Sequence, residues 1–136
     1  MPPTRDEKVA AIEAALRARF FPFVPRVDRD DRGNWTDAQH DTDRLSRALS
    51  AYALVGLCDV DDATAGGAVT DGGHDRGIDA LWFDRGRGRL VLIQAKFKRS
   101  GASPSQDEVL KTVNGIQALM ERRFDDFNER VRSAAP

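Results

Sequence analysis

DGGHDRGIDALWFDRGRGRLVLIQAKFK, from Asp71 to Lys98, is the stretch on which the fold turns. Ile78–Phe83 and Leu90–Phe97 are β-rich runs. The charged, glycine-containing segment Asp84–Arg89 between them predicts a hairpin turn. Side chains alternate along a strand, so Leu90, Leu92, Gln94 and Lys96 share one face and Val91, Ile93, Ala95 and Phe97 the other. Both faces are largely apolar, which predicts a strand covered on both sides. A glutamine and a lysine there are costly unless they find partners. A turn centred between Gly86 and Arg87 supplies one, because Asp79 and Gln94 lie equally far from that centre and stand opposite each other. Directly opposed residues bring their Cβ atoms to roughly 4.5–5.5 Å. A slip of one residue would send Asp79 to the other face, so the clustering of Asp79, Gln94 and Lys96 depends on the turn.

These residue types carry a definite chemistry. Asp79 offers a carboxylate oxygen and Gln94 an amide oxygen, hard donors that suit Mg²⁺ or Mn²⁺. Such an ion lowers the pKa of bound water and stabilises charge on a phosphoryl oxygen. A lysine at position 96 can orient the attacking water or stabilise the transition state. Gly72, Gly73 and Gly77 allow a backbone to approach closely. The plainer alternative for the triple is a structural hydrogen-bond cluster. Asp71 and Asp75 suit turns as well as ligation, and His74 between glycines suits a solvated loop. Lys98, Arg99, Arg85, Arg87 and Arg89 are candidates for phosphate contacts, and equally for charges that protect a sheet edge. Trp82 falls on the face opposite Asp79 and reads as core rather than as a base-stacking platform, and Cys58 as a small buried apolar residue.

Upstream, Thr4–Glu7 forms a capping box, followed by Val9, Ile12, Leu16 and Phe20 at helical spacing. Pro22 and Pro25 stop that helix, and the charge-dense run from Arg26 to Asn34 reads as a loop. Thr36–Gln39 is a second capping box, opening a helix to about Leu57 with Leu45, Leu49, Tyr52 and Val55 facing inward. Asp59 is expected to cap a short turn through Ala65, ended by Gly66 and Gly67. Downstream, Ser105 caps a helix with Val109, Val113, Ile116, Leu119 and Met120 on its apolar face, and Phe124–Val131 forms a last helical piece. The organisation is one α/β domain over 1–136: an N-terminal helix in 1–25, a loop in 26–35, helices in 36–65, the hairpin in 66–100 and C-terminal helices in 104–132.

A chain of 136 residues suits one domain that folds without staples. A single cysteine excludes an internal disulfide, and two histidines leave little for a histidine-rich metal centre. No apolar run approaches the ~20 residues of a membrane span, and Met1–Glu7 is too polar for a signal peptide, so the expectation is a cytoplasmic protein with no membrane partner. The net charge of -1 means that contact with nucleic acid must use a local basic patch.

The Gly77-Ile78-Asp79 … Gln94-Ala95-Lys96 pattern resembles the PD-(D/E)XK nuclease superfamily, in the QxK form of Mrr-like restriction endonucleases. The longer run VTDGGHDRGIDA, then LVLIQAKF, is similar to the N-terminal region of AIPR-type abortive-infection phage-resistance proteins, over about Ala68 to Phe97. The resemblance implies a restriction-endonuclease-like core with a mixed sheet, a central hairpin and flanking helices. It implies a Mg²⁺-dependent endonuclease in phage defence, acting on DNA in preference to RNA. Asp79 and Gln94 would bind metal with the Ala95 carbonyl as a further ligand, and Lys96 would be catalytic. Gln94 replaces the usual glutamate and removes one negative charge. An additional acid often comes from an early helix; Glu13, Asp71 and Asp75 are the candidates. Proteins of this kind are longer, so a homodimer or a further C-terminal region is expected to complete the unit.

Overall fold

A computed structural model describes residues 1–24, 26, 34–69, 79–98, 100 and 105–120. The chain is mixed α/β: α1 (Arg5–Phe20), α2 (Asp37–Cys58), α3 (Asp62–Gly67), β1 (Ala80–Asp84), β2 (Arg89–Ile93) and α4 (Gln106–Met120). Both capping boxes form. Thr4 Oγ1 accepts the Glu7 N–H while the Glu7 carboxylate accepts that of Thr4, and Thr36 and Gln39 repeat the exchange. The bonds to Thr4 hold the Glu7 carboxyl below its usual value.

Helix α2 is the spine. Leu45, Ala48, Ala51, Leu54 and Cys58 recur every three or four residues on its buried side, meeting Leu16 and Phe20 of α1, Ala65 of α3, and Ala80, Ile93 and Phe97 of the hairpin region. Of the residues expected inward, Leu45 is buried and Leu49 and Val55 pack against the core, but Tyr52 is exposed, and small Ala48 and Ala51 let the neighbouring elements come close. Ile12 is likewise half out of the core. It lines an open apolar groove of about 380 Å³ between α1 and α2, with Leu16, Phe20, Leu49 and Tyr52.

Asp59 closes α2 in the left-handed region (φ 55°) and caps its C-terminus, while Asp61 takes the expected capping role for α3 by accepting the Thr64 N–H. Gly66 is required by a close approach: a Cβ there would lie 2.5 Å from Phe23 Cβ. Arg44 fastens the turn after α1, donating to the carbonyls of Val24 and Phe21 and lying over the Phe21 ring.

The sheet is two-stranded and antiparallel, from Asp84↔Arg89 to Ala80↔Ile93, with Val69 bridging the far edge of Ala80. The expected mixed sheet therefore does not occur among the described residues. The register agrees with a turn centred between Gly86 and Arg87, and Gly88 supplies the positive φ (61°) that the loop needs. One face, with Ala80, Ile93 and the half-buried Trp82 and Val91, lies on the core. The other is not sealed: Leu81 is buried, but Phe83 and Leu90 remain 39% and 40% exposed. Among the described residues α4 makes no close backbone approach to the other elements. Its Val109 and Val113, expected to pack inward, are exposed. The segment expected as a last helix, Phe124–Val131, lies outside the described residues.

Candidate functional site

Asp79 stands one residue before β1, and the ladder ends one position short of an Asp79–Gln94 pair. The Leu81 N–H points away from β2, to the Ala68 carbonyl at 3.2 Å. Strand alternation would turn the Asp79 N–H the same way. Instead it bonds the Ile93 carbonyl at 2.7 Å, so the chain kinks toward β2 in the manner of a bulge. The Asp79 side chain follows: Oδ2 accepts the Ala95 N–H at 2.8 Å. A carboxylate thus takes the place of a backbone acceptor just where the ladder stops. Asp79 and the Gln94–Lys96 segment meet, but through the hydrogen-bonding edge rather than by cross-strand side-chain stacking.

Residues 94–98 lie beyond the strand proper: Ile93 and Phe97 are buried, Gln94 and Ala95 half-buried and Lys96 exposed. The second strand is consequently not covered on both sides, and Lys96 needs no buried partner because it is not buried. Phe97 is held by α2, its N–H donating to Ser46 Oγ at 2.9 Å. Ser46 Oγ in turn donates to the Thr42 carbonyl at 3.2 Å.

The remaining candidates are dispersed. Glu13 accepts from Arg17 Nη2 at 2.7 Å, and Arg17 also makes a two-pronged pair with Asp41. These bonds, Asp41 first and Glu13 second, raise the Arg17 pKa. Glu13 thus serves the α1–α2 seam, and α1 packs on α2 and α3 rather than on the hairpin. Asp71, Asp75, His74 and Arg99 lie outside the described residues, as do Gly72, Gly73 and Gly77. Lys98 is half-buried and Arg85 exposed. Arg87 and Arg89 brace the turn through Asp84 at 3.1 and 3.3 Å, and Arg89 also donates to the Leu57 carbonyl at 2.6 Å. Burial pushes the Asp84 carboxyl up, but the bonds from Arg87 and Arg89 outweigh it and leave the pKa below 3.8.

Among the described residues no three His, Cys, Asp or Glu side chains gather to hold a metal. The oxygen donors of this region, the Asp79 carboxylate and the amide of Gln94 in the segment that Asp79 clamps, are hard. That set suits a hard divalent cation and provides one formal negative charge.

Sequence reasoning missed a polar seam on α2. His40, Arg47 and Ser50 are buried, Asp43 nearly so, and Arg47 Nε bonds Asp43 Oδ2 at 3.1 Å. The signal was present: residues 40, 43, 47 and 50 recur at helical spacing on a helix whose apolar stripe runs alongside. Ser46, which reaches the hairpin strand, belongs to the same side. No family model, curated protein or solved structure matches this chain.

Proposed function

We propose that the chain is a Mg²⁺- or Mn²⁺-dependent nuclease domain with a restriction-endonuclease-like core, hydrolysing phosphodiester bonds of DNA in phage defence, in the cytoplasm. The observation that carries the reading is the 2.8 Å bond from Ala95 N–H to Asp79 Oδ2, which joins the aspartate of the GID motif to the QAK segment in three dimensions. In this reading Asp79, Gln94 and the Ala95 carbonyl would hold the cation, which when bound would supply an activated water and neutralise phosphoryl charge. Lys96, exposed beside them, holds a phosphate oxygen as charge develops on it. Arg85 and Lys98, with Arg99 next in sequence, are the basic side chains assigned to the backbone of the nucleic acid.

The test is cleavage of duplex DNA with Mg²⁺ or Mn²⁺, with excess chelator, and after metal is restored. The reading expects activity, loss and recovery; cleavage undiminished by chelator refutes it. Gln94→Glu restores a carboxylate and is expected to tighten Mg²⁺ binding by calorimetry; unchanged or weaker binding refutes the ligand assignment. Among the described residues the sheet has two strands and leaves Phe83 and Leu90 exposed on one face, which supports a homodimer or a further C-terminal region as the working unit. Light scattering that shows a monomer together with full double-strand cleavage refutes that part.

A second reading has its own observation. Asp79 Oδ2 is engaged by a backbone N–H, and one carboxylate is a weak anchor for a divalent ion. That favours a non-catalytic nucleic-acid-binding or dimerisation module in which Asp79 is a strand clamp. DNA binding without cleavage in any divalent metal selects it.

A further inference from the structure

The segment that carries Gln94 and Lys96 begins where the strand ladder stops, so something other than β1 must fix its path. Two side chains do. Asp79 Oδ2 takes the N–H of Ala95 at 2.8 Å, and Ser46 Oγ takes the N–H of Phe97 at 2.9 Å. Lys96 lies between these two anchored amides. Ser46 is itself 8% exposed, and its proton goes to the Thr42 carbonyl one turn back on α2, which turns a lone pair toward Phe97. The Phe97 ring is buried in the core, so the anchor cannot swing with solvent. Helix α2, the most buried element, thereby dictates where the backbone of residue 96 sits.

We propose that Ser46 is a positioning residue: through the Phe97 amide it sets the path of the Gln94–Lys96 segment and hence the reach of the Lys96 ammonium. This rests on the nuclease reading, in which that ammonium meets a phosphate. A carbonyl-bonded hydroxyl at this position does more than fill space, because an alanine would fill most of the same volume without offering an acceptor. Displacement of a reacting group by about 1 Å can cost on the order of 10² in rate while leaving a multi-contact interface intact.

The experiment compares wild type, Ser46→Ala, Ser46→Cys and Ser46→Thr by single-turnover cleavage at saturating DNA with Mg²⁺, with equilibrium DNA affinity measured in parallel. Ser46→Ala is expected to slow cleavage about 10–100-fold with affinity within twofold of wild type. Ser46→Thr, which keeps the hydroxyl, recovers most of the rate, and Ser46→Cys, a weaker acceptor of similar size, falls between. Should Ser46→Ala not fold, Ser46→Cys gives the same reading. The deciding measurement repeats the substitution in a Lys96→Ala background, where a residue that acts through Lys96 has nothing left to position and the further loss is expected below about twofold. An equal fractional loss in both backgrounds overturns the proposal, as does full activity in Ser46→Ala. Absence of cleavage by wild type with every divalent metal overturns the nuclease reading and this proposal together, and is seen before any variant is made.

Discussion

Asp79 is asked to do two things: accept the Ala95 N–H and help hold a cation. The two roles separate in Asp79→Asn and Asp79→Ala. Asparagine keeps an oxygen that can take the Ala95 N–H but removes the charge; alanine removes both. Bonds to a charged acceptor contribute about 1.5–3 kcal/mol and neutral ones roughly half as much. The site is half-buried, so the orphaned amide in the alanine variant is partly rewetted and the loss should lie near the middle, about 2 kcal/mol. Asparagine should cost about 1 kcal/mol. For a chain of this length 1 kcal/mol moves Tm by about 3–4 °C. Circular dichroism without metal should then rank wild type, Asp79→Asn and Asp79→Ala at steps of about 3–4 °C. The same melts with Mg²⁺ test the other role. A ligand at about ten times its dissociation constant stabilises by about 1.4 kcal/mol, so wild type should gain about 5 °C. Neither variant should gain. Asp79→Ala melting with wild type would refute the clamp, and an equal Mg²⁺ gain in Asp79→Asn would refute the metal role.

The packing makes further commitments. Gly66→Ala places a methyl carbon 2.5 Å from Phe23 Cβ and should cost about 1–3 kcal/mol in chemical denaturation; a loss below about 0.5 kcal/mol would mean that the Phe23 turn yields freely. Leu54→Ala removes a fully buried side chain where α2 meets the core and should cost about 2–5 kcal/mol, against a surface-like effect if α2 is not the spine. The lowered Asp84 carboxyl stabilises the turn above its unfolded value of 3.8 and loses that effect as pH falls through its folded value. Asp84→Asn should therefore flatten the acid limb of a stability–pH profile measured below about pH 4; an unchanged limb refutes the Arg87–Asp84–Arg89 brace.

What was legible in the sequence was what local chemistry decides. Both capping boxes, the hairpin turn and its register follow from contacts between residues a few positions apart, and each forms as the residue types require. On α2 the expected inward set holds for Leu45, which is fully buried, and for Leu49 and Val55, which pack against the core, while Tyr52 is exposed; the members passed over are Ala48 and Ala51, on the side that meets α1, α3 and both strands, where backbones come close. Bulk announces hydrophobicity, whereas closeness demands smallness, so a pattern of large apolar residues passes over the small members of a packed face. The site was half legible on similar grounds. Register fixed which residues approach, but the approach is made by an Asp79 N–H and carboxylate that have turned toward β2, an outcome decided by unmet backbone donors at the end of a short ladder. Those donors have to be met somewhere. With the ladder stopping at Ala80, the acceptors are side-chain oxygens, Asp79 for Ala95 and Ser46 for Phe97, and alternation patterns do not register a side chain acting as backbone. The same need gives a role to the hydroxyl of Ser46 on the buried face of α2: its oxygen takes the amide of the residue after Lys96.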